Sequence, residues 1–129
     1  MPDPITGEGF DVPTPEVAYM GAPDVAEETT DLMRVSTHLA DAYVRGETGS
    51  PDEYAGRLYL LRRAALADRL ALQHPDVEDF QRDAVRLSQE LAQYDREHNT
   101  HAGPIGPGSP EWDPSARPYV RQEYDHWGW

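Results

Sequence analysis

Between Pro23 and His98, apolar side chains recur at three- and four-residue spacing through three consecutive stretches, each opened by a proline or a capping residue. That period belongs to amphipathic helices and not to strands, whose faces alternate every second residue. The spacing therefore predicts an all-α protein with helices over about 23–46, 51–73 and 77–98.

Each stretch carries its own start signal. Pro23 is preorganised for a first helical position, with Asp24, Glu27 and Glu28 at the positive end of the helix dipole. Val25, Leu32, Val35, Leu39 and Tyr43 share one side, and Gly46 supplies a stop. The second stretch opens on a capping box, with Ser50 at the cap, Pro51 at the first position and Glu53 three residues after the serine. Its apolar face holds Tyr54, Leu58, Leu61, Ala65 and Leu72, while Leu60, Ala64, Ala67 and Ala71 make the far side weakly apolar. This marks it as the central helix. In the third stretch, capped in expectation by Asp76, the series Val77, Phe80, Ala84, Leu87, Leu91, Tyr94 and His98 has the period of a coiled-coil-like seam. Short connections make successive helices antiparallel, so residues 23–98 are expected to form a three-helix up-down-up bundle. A bundle of this size buries a modest core, which leaves room for a homodimer through the remaining apolar sides of the second helix.

The flanks read differently. Residues 1–22 hold four of the twelve prolines and several acids, and are expected as a flexible acidic arm on which Phe10, Val12, Val17, Tyr19 or Met20 can dock locally. Residues 99–117 are expected as a Gly/Pro spacer. Residues 118–129 follow as a short aromatic helix opened by Pro118, with Val120, Tyr124 and Trp127 on one side.

Charge limits the partners. The net charge is -13, concentrated in residues 1–33, which carry eight acids and no arginine. So acidic a chain repels phosphate, which argues against direct nucleic-acid binding. No stretch approaches the roughly 18 apolar residues of a membrane span, and the opening MPDPITGEGF lacks the features of a secretory signal. With no cysteine in the chain, the expected setting is cytoplasmic. All eleven basic residues are arginine and the chain has a single asparagine, a bias that points to a high-GC bacterium or its phage.

No catalytic or metal constellation emerges. Ser36 and His38 share a helix at a spacing that turns them apart, and GPIGPGSP lacks the amide donors and lysine of a phosphate loop. The densest metal candidates, Asp95, Glu97, His98 and His101, straddle a helix end and lack the inward Glu-x-x-His pattern of helix-bundle sites. No enzyme activity, cofactor or metal is expected.

The candidate binding residues are aromatic and cationic. Tyr119, Tyr124, Trp127 and Trp129 resemble a docking element, although a fold-back of Val120, Tyr124 and Trp127 onto the bundle is the plainer reading. Arg62 and Arg69, seven residues apart, either clamp an anion or pair with acids of a neighbouring helix, the latter being commoner. The expected function is a non-enzymatic accessory or adaptor protein engaging a protein partner. The alternative is an acidic nucleic-acid mimic that inhibits a basic partner, and the third reading is a substrate peptide modified at its C-terminus.

Overall fold

The computed structural model describes residues 12–44 and 50–127, with side chains at 12–41 and 56–127. Residues 1–11 of the acidic arm, the Gly46 stop, the Ser50–Glu53 capping side chains and Trp129 lie outside the described residues. The fold is all-α, and no strand occurs among the described residues. The described residues form the helices α1 (Pro15–Ala18), α2 (Val25–Val44), α3 (Ser50–Gln73), α4 (Glu78–His98) and α5 (Arg117–Trp127). A 3-10 turn covers Pro110–Trp112.

The three long helices fall where the periodicity puts them, with altered ends. The helix expected from Pro23 starts at Val25, because the Asp24 carboxylate accepts the Ala26 N–H at 3.1 Å and takes the capping role. Asp76 does not cap α4. The helix begins at Glu78, and Val77 occupies the cap position without a side-chain bond, its carbonyl accepting the Phe80 amide. At the other end Asn99 adopts the left-handed conformation that closes helices, and its amide returns to the Asp95 carbonyl.

α3 packs against α2, α4 and α5, and α5 in turn packs against α4 and α1. Small residues make the seat for α5. Ala64 and Ala71 of α3 and Ala84 and Ala92 of α4 are buried in one cluster with Trp112, Tyr119, Val120 and Tyr124. A floor of methyl groups lets a helix with large side chains approach closely at normal packing density.

The 99–117 stretch is no spacer in the structure. Gln122 grips it with both amide atoms, Nε2 donating to the Ile105 carbonyl at 2.9 Å and Oε1 accepting the Ile105 N–H at 3.3 Å. Glu123 accepts the amides of Ala102 and Gly103 at 2.5 and 2.7 Å. Trp112 is buried and donates its indole N–H to the Gly106 carbonyl at 2.7 Å. Glycine and proline forbid a helix here, but polar side chains of α5 satisfy the extended backbone and fix it.

The arm also contributes to the body. α1 lies on α5, Ala18 is buried, and Val12 and Tyr19 pack against the core cluster.

Candidate functional site

Every residue of α5 from Arg117 to Tyr124 is buried, four of them polar or charged. A helix without a solvent face must find a partner for each polar group it brings in. Those partners are Asp68 and Arg57 of α3, Gln81 and Asp95 of α4, and the backbone of Ala102 to Ile105.

On α3, Asp68 follows Leu61 and Ala64 along the buried face and is fully covered. Arg121 meets it at two points, Nε to Oδ2 and Nη2 to Oδ1, both 2.9 Å. Arg117 Nε donates to Oδ1 at 2.5 Å, and the Tyr19 hydroxyl donates to Oδ2 at 2.6 Å. Burial, reinforced by the Asp68 charge, pushes the Tyr19 hydroxyl well above the usual tyrosine range, so it stays a donor.

On α4, Asp95 is the counterpart. Arg57 binds it through Nε at 3.0 Å and Nη2 at 2.9 Å, Tyr119 donates to it at 2.5 Å, and Thr100 at 2.7 Å. Burial by itself would raise this carboxyl, but those donors override it and hold Asp95 below the usual carboxylate range. The same Arg57 Nη2 reaches Glu123 at 2.7 Å. Burial and the Asp95 bond together raise the Tyr119 hydroxyl above its ordinary value.

These groups are consumed by one another. Asp68, Asp95 and Glu123 are fully buried and each is paired with an arginine. The arrangement fixes the position of a helix. Among the described residues no group of three histidine or acidic side chains has metal-binding geometry. His98 stacks on Tyr94 at 4.1 Å, His74 meets Phe80 edge-on at 5.6 Å, and His101 contacts the Gly103 carbonyl at 3.0 Å.

The expected binding residues are dispersed. Arg62 lies between α3 and α2, bonding Glu28 at 2.5 and 3.2 Å and also Asp31, while Arg69 donates to the Pro23 carbonyl at 2.7 Å. Both arginines stitch α2 and its entry to α3. Tyr119 and Tyr124 are buried, and Trp127 is half-buried at the end of α5.

Exposed large apolar side chains among the described residues are Val17 and Met20 of the arm, Met33 of α2 and Val77 before α4. Tyr19 packs edge-on against Tyr124 at 5.2 Å, and Tyr124 against Trp127 at 5.5 Å. On either side of Tyr19 in the chain, Val17 is 49% and Met20 78% exposed. Glu16, next to Val17 in the chain, and Asp125, next to Tyr124, are exposed. The sequence pointed to Trp127 as a contact residue and to Val17 and Met20 only as arm residues able to dock locally; both are exposed. The buried carboxylates had a legible signal, an acid inside an apolar helical stripe at Leu61-Ala64-Asp68-Ala71 and Leu87-Leu91-Asp95.

No family model matches the chain, and comparison with curated proteins and with solved structures likewise finds no match.

Proposed function

We propose that the protein is a non-enzymatic accessory or adaptor protein that engages a protein partner through the surface at the end of α5. The observation that carries this reading is the exposure of Val17 and Met20, which flank Tyr19 in the chain, where Tyr19 is tied to Asp68 and packs on Tyr124, itself against Trp127. A flexible thioether and an aromatic edge on a rigid support suit an interface, because little ordering entropy remains to be lost on binding. Tyr119 and Tyr124 act as the support, and contact falls to Met20, Val17 and Trp127. Exposed Glu16 and Asp125, in a chain of net charge -13, favour a partner with basic groups around its apolar centre. The lack of cysteine fits a reducing, cytoplasmic setting.

An acidic mimic of nucleic acid calls for an unbroken row of carboxylates. On the outward side of α4, Asp79, Asp83 and Glu90 alternate with Arg82 and Arg86 and pair with them, which favours the docking reading. The test is a pull-down from the native host at low and high salt, comparing the wild type with a Val17→Glu/Met20→Glu variant. A partner kept at high salt and lost with the variant supports the reading. Equal capture by the variant, or loss of the partner on salt alone, contradicts it.

A further inference from the structure

α4 and residues 107–116 enclose a cleft of about 320 Å³, a size that takes a small ligand. Buried Ala92, Trp112 and Ala116 make its floor, and exposed polar groups stand along its rim. The walls are fixed before anything binds. Trp112 is anchored to the Gly106 carbonyl at 2.7 Å, and Gln89 Nε2 donates to the Pro114 carbonyl at 2.6 Å.

Two charges on this rim stand without partners. Every other arginine whose side chain is described bonds an acid or a carbonyl, in a chain with twenty-four acids, yet Arg96 has no hydrogen-bond or ion-pair partner among the described residues. The Asp113 carboxylate has none either. The two lie toward opposite ends of the cleft. A Cβ on Gly108 would lie 3.6 Å from Arg96 Cδ, which puts the arginine stem beside residue 108, whereas Asp113 precedes the Pro114 that Gln89 holds. Seven residues of α4 separate Gln89 from Arg96, about 10 Å along the helix axis. Between them Gln93 gives its Nε2 to Glu97 at 3.1 Å, which leaves its amide oxygen as an acceptor.

This layout selects a ligand. A cation about 10 Å from an anion matches a molecule with a carboxylate at one end and an ammonium at the other, and three residues of extended peptide span about that distance. Arg96 can take the carboxylate through its forked N–H donors, Asp113 the ammonium, and the Gln93 oxygen an N–H between them. Phosphate-bearing ligands carry charge that a chain of net charge -13 repels, whereas a zwitterion carries none. We propose that the cleft between α4 and residues 107–116 binds a short peptide with free ends, about three residues long. The site uses none of the residues of the partner surface at the end of α5.

The test is a nuclear magnetic resonance titration of the full chain with trialanine, N-acetyl-trialanine and trialanine amide. Trialanine is expected to shift the amides of Gln93, Arg96 and Gly108 saturably, and each capped form to bind roughly tenfold more weakly for the charge-assisted bond it lacks. Arg96→Gln should abolish the preference for a free carboxylate and keep that for a free amine, and Asp113→Asn should do the reverse. Both side chains are exposed, so neither substitution should move the melting temperature. Should a variant fail to fold, the capped peptides on the wild type decide alone. The proposal is overturned by the absence of a saturable shift at the cleft, by shifts confined to other residues, or by equal binding of either capped form. A folded Arg96→Gln chain that still prefers the free carboxylate overturns it as well.

Discussion

Arg121 and Asp68 meet as a two-point ion pair, Nε to Oδ2 and Nη2 to Oδ1 at 2.9 Å each, with both side chains closed off from solvent. A buried pair of this kind adds little over a well-packed apolar pair, yet losing one member is costly because the other is left charged and unpaired. Asp68 also serves Arg117 and Tyr19, so its loss strands two arginines. Asp68→Asn is expected to lower stability by about 3–5 kcal/mol, measured by urea denaturation. A loss under about 1 kcal/mol, the range of exposed pairs, would mean that the network does not hold α5.

Asp95 sets the acid side of the stability profile. Its folded-state carboxyl titrates below the unfolded value of about 3.9, so the folded state binds fewer protons there. Its contribution is therefore complete above about pH 4 and is lost as pH falls through the depressed value. Denaturation midpoints measured from neutral pH downward should fall steeply in that window. In Asp95→Asn the fall should be shallower and start from a lower stability.

The alkaline side belongs to Tyr19 and Tyr119, whose hydroxyls are raised by burial and by the aspartates they serve. The folded state keeps their protons when the unfolded chain has released them. Their contribution is complete below the unfolded value of about 10 and declines as pH rises above it. Tyrosinate absorbance during a pH titration should show these two hydroxyls ionising together with unfolding, and Tyr119→Phe should remove one of them from that step.

Gly103 tests the attachment of the 99–117 segment. Its amide donates to Glu123, and a Cβ there would collide with the Gln122 side chain that clamps Ile105. Gly103→Ala is expected to cost about 1–3 kcal/mol through that overlap. Gly56→Ala is the control, since a Cβ on α3 at that position meets nothing and removes a helix-interior glycine, with a gain of up to about 1 kcal/mol. Thermal melts of the two variants should shift in opposite directions.

The long helices were legible because a 3.6-residue apolar period survives any tertiary context. Leu32, Leu61, Ala65, Leu87 and Leu91, all on the expected faces, are buried. The packing of Val120 and Tyr124 on the body was the plainer reading of the sequence, but the burial of the other side of α5 was not legible, because Arg117, Arg121, Gln122 and Glu123 make it polar and suggest a solvent face. What reverses that reading is the pairing of those four with Asp68, Asp95, Arg57 and the backbone of Ala102 to Ile105, long-range relationships that local periodicity does not encode. The same reason hid the fixed course of the Gly/Pro segment. Arg62 pairs with acids of the neighbouring α2, the commoner of its two readings, whereas Arg69 bonds the Pro23 carbonyl and no acid among the described residues pairs with it.

Native-state hydrogen exchange on residues 119–124 tests most directly whether α5 is the centre of the fold. If it is, the amides from Tyr119 to Tyr124 exchange only through global unfolding, as slowly as those of Leu61 to Ala71 on α3. Exchange of the α5 amides orders of magnitude faster than those of α3, with α3 still protected, would show a helix that leaves its seat on its own and would contradict the account.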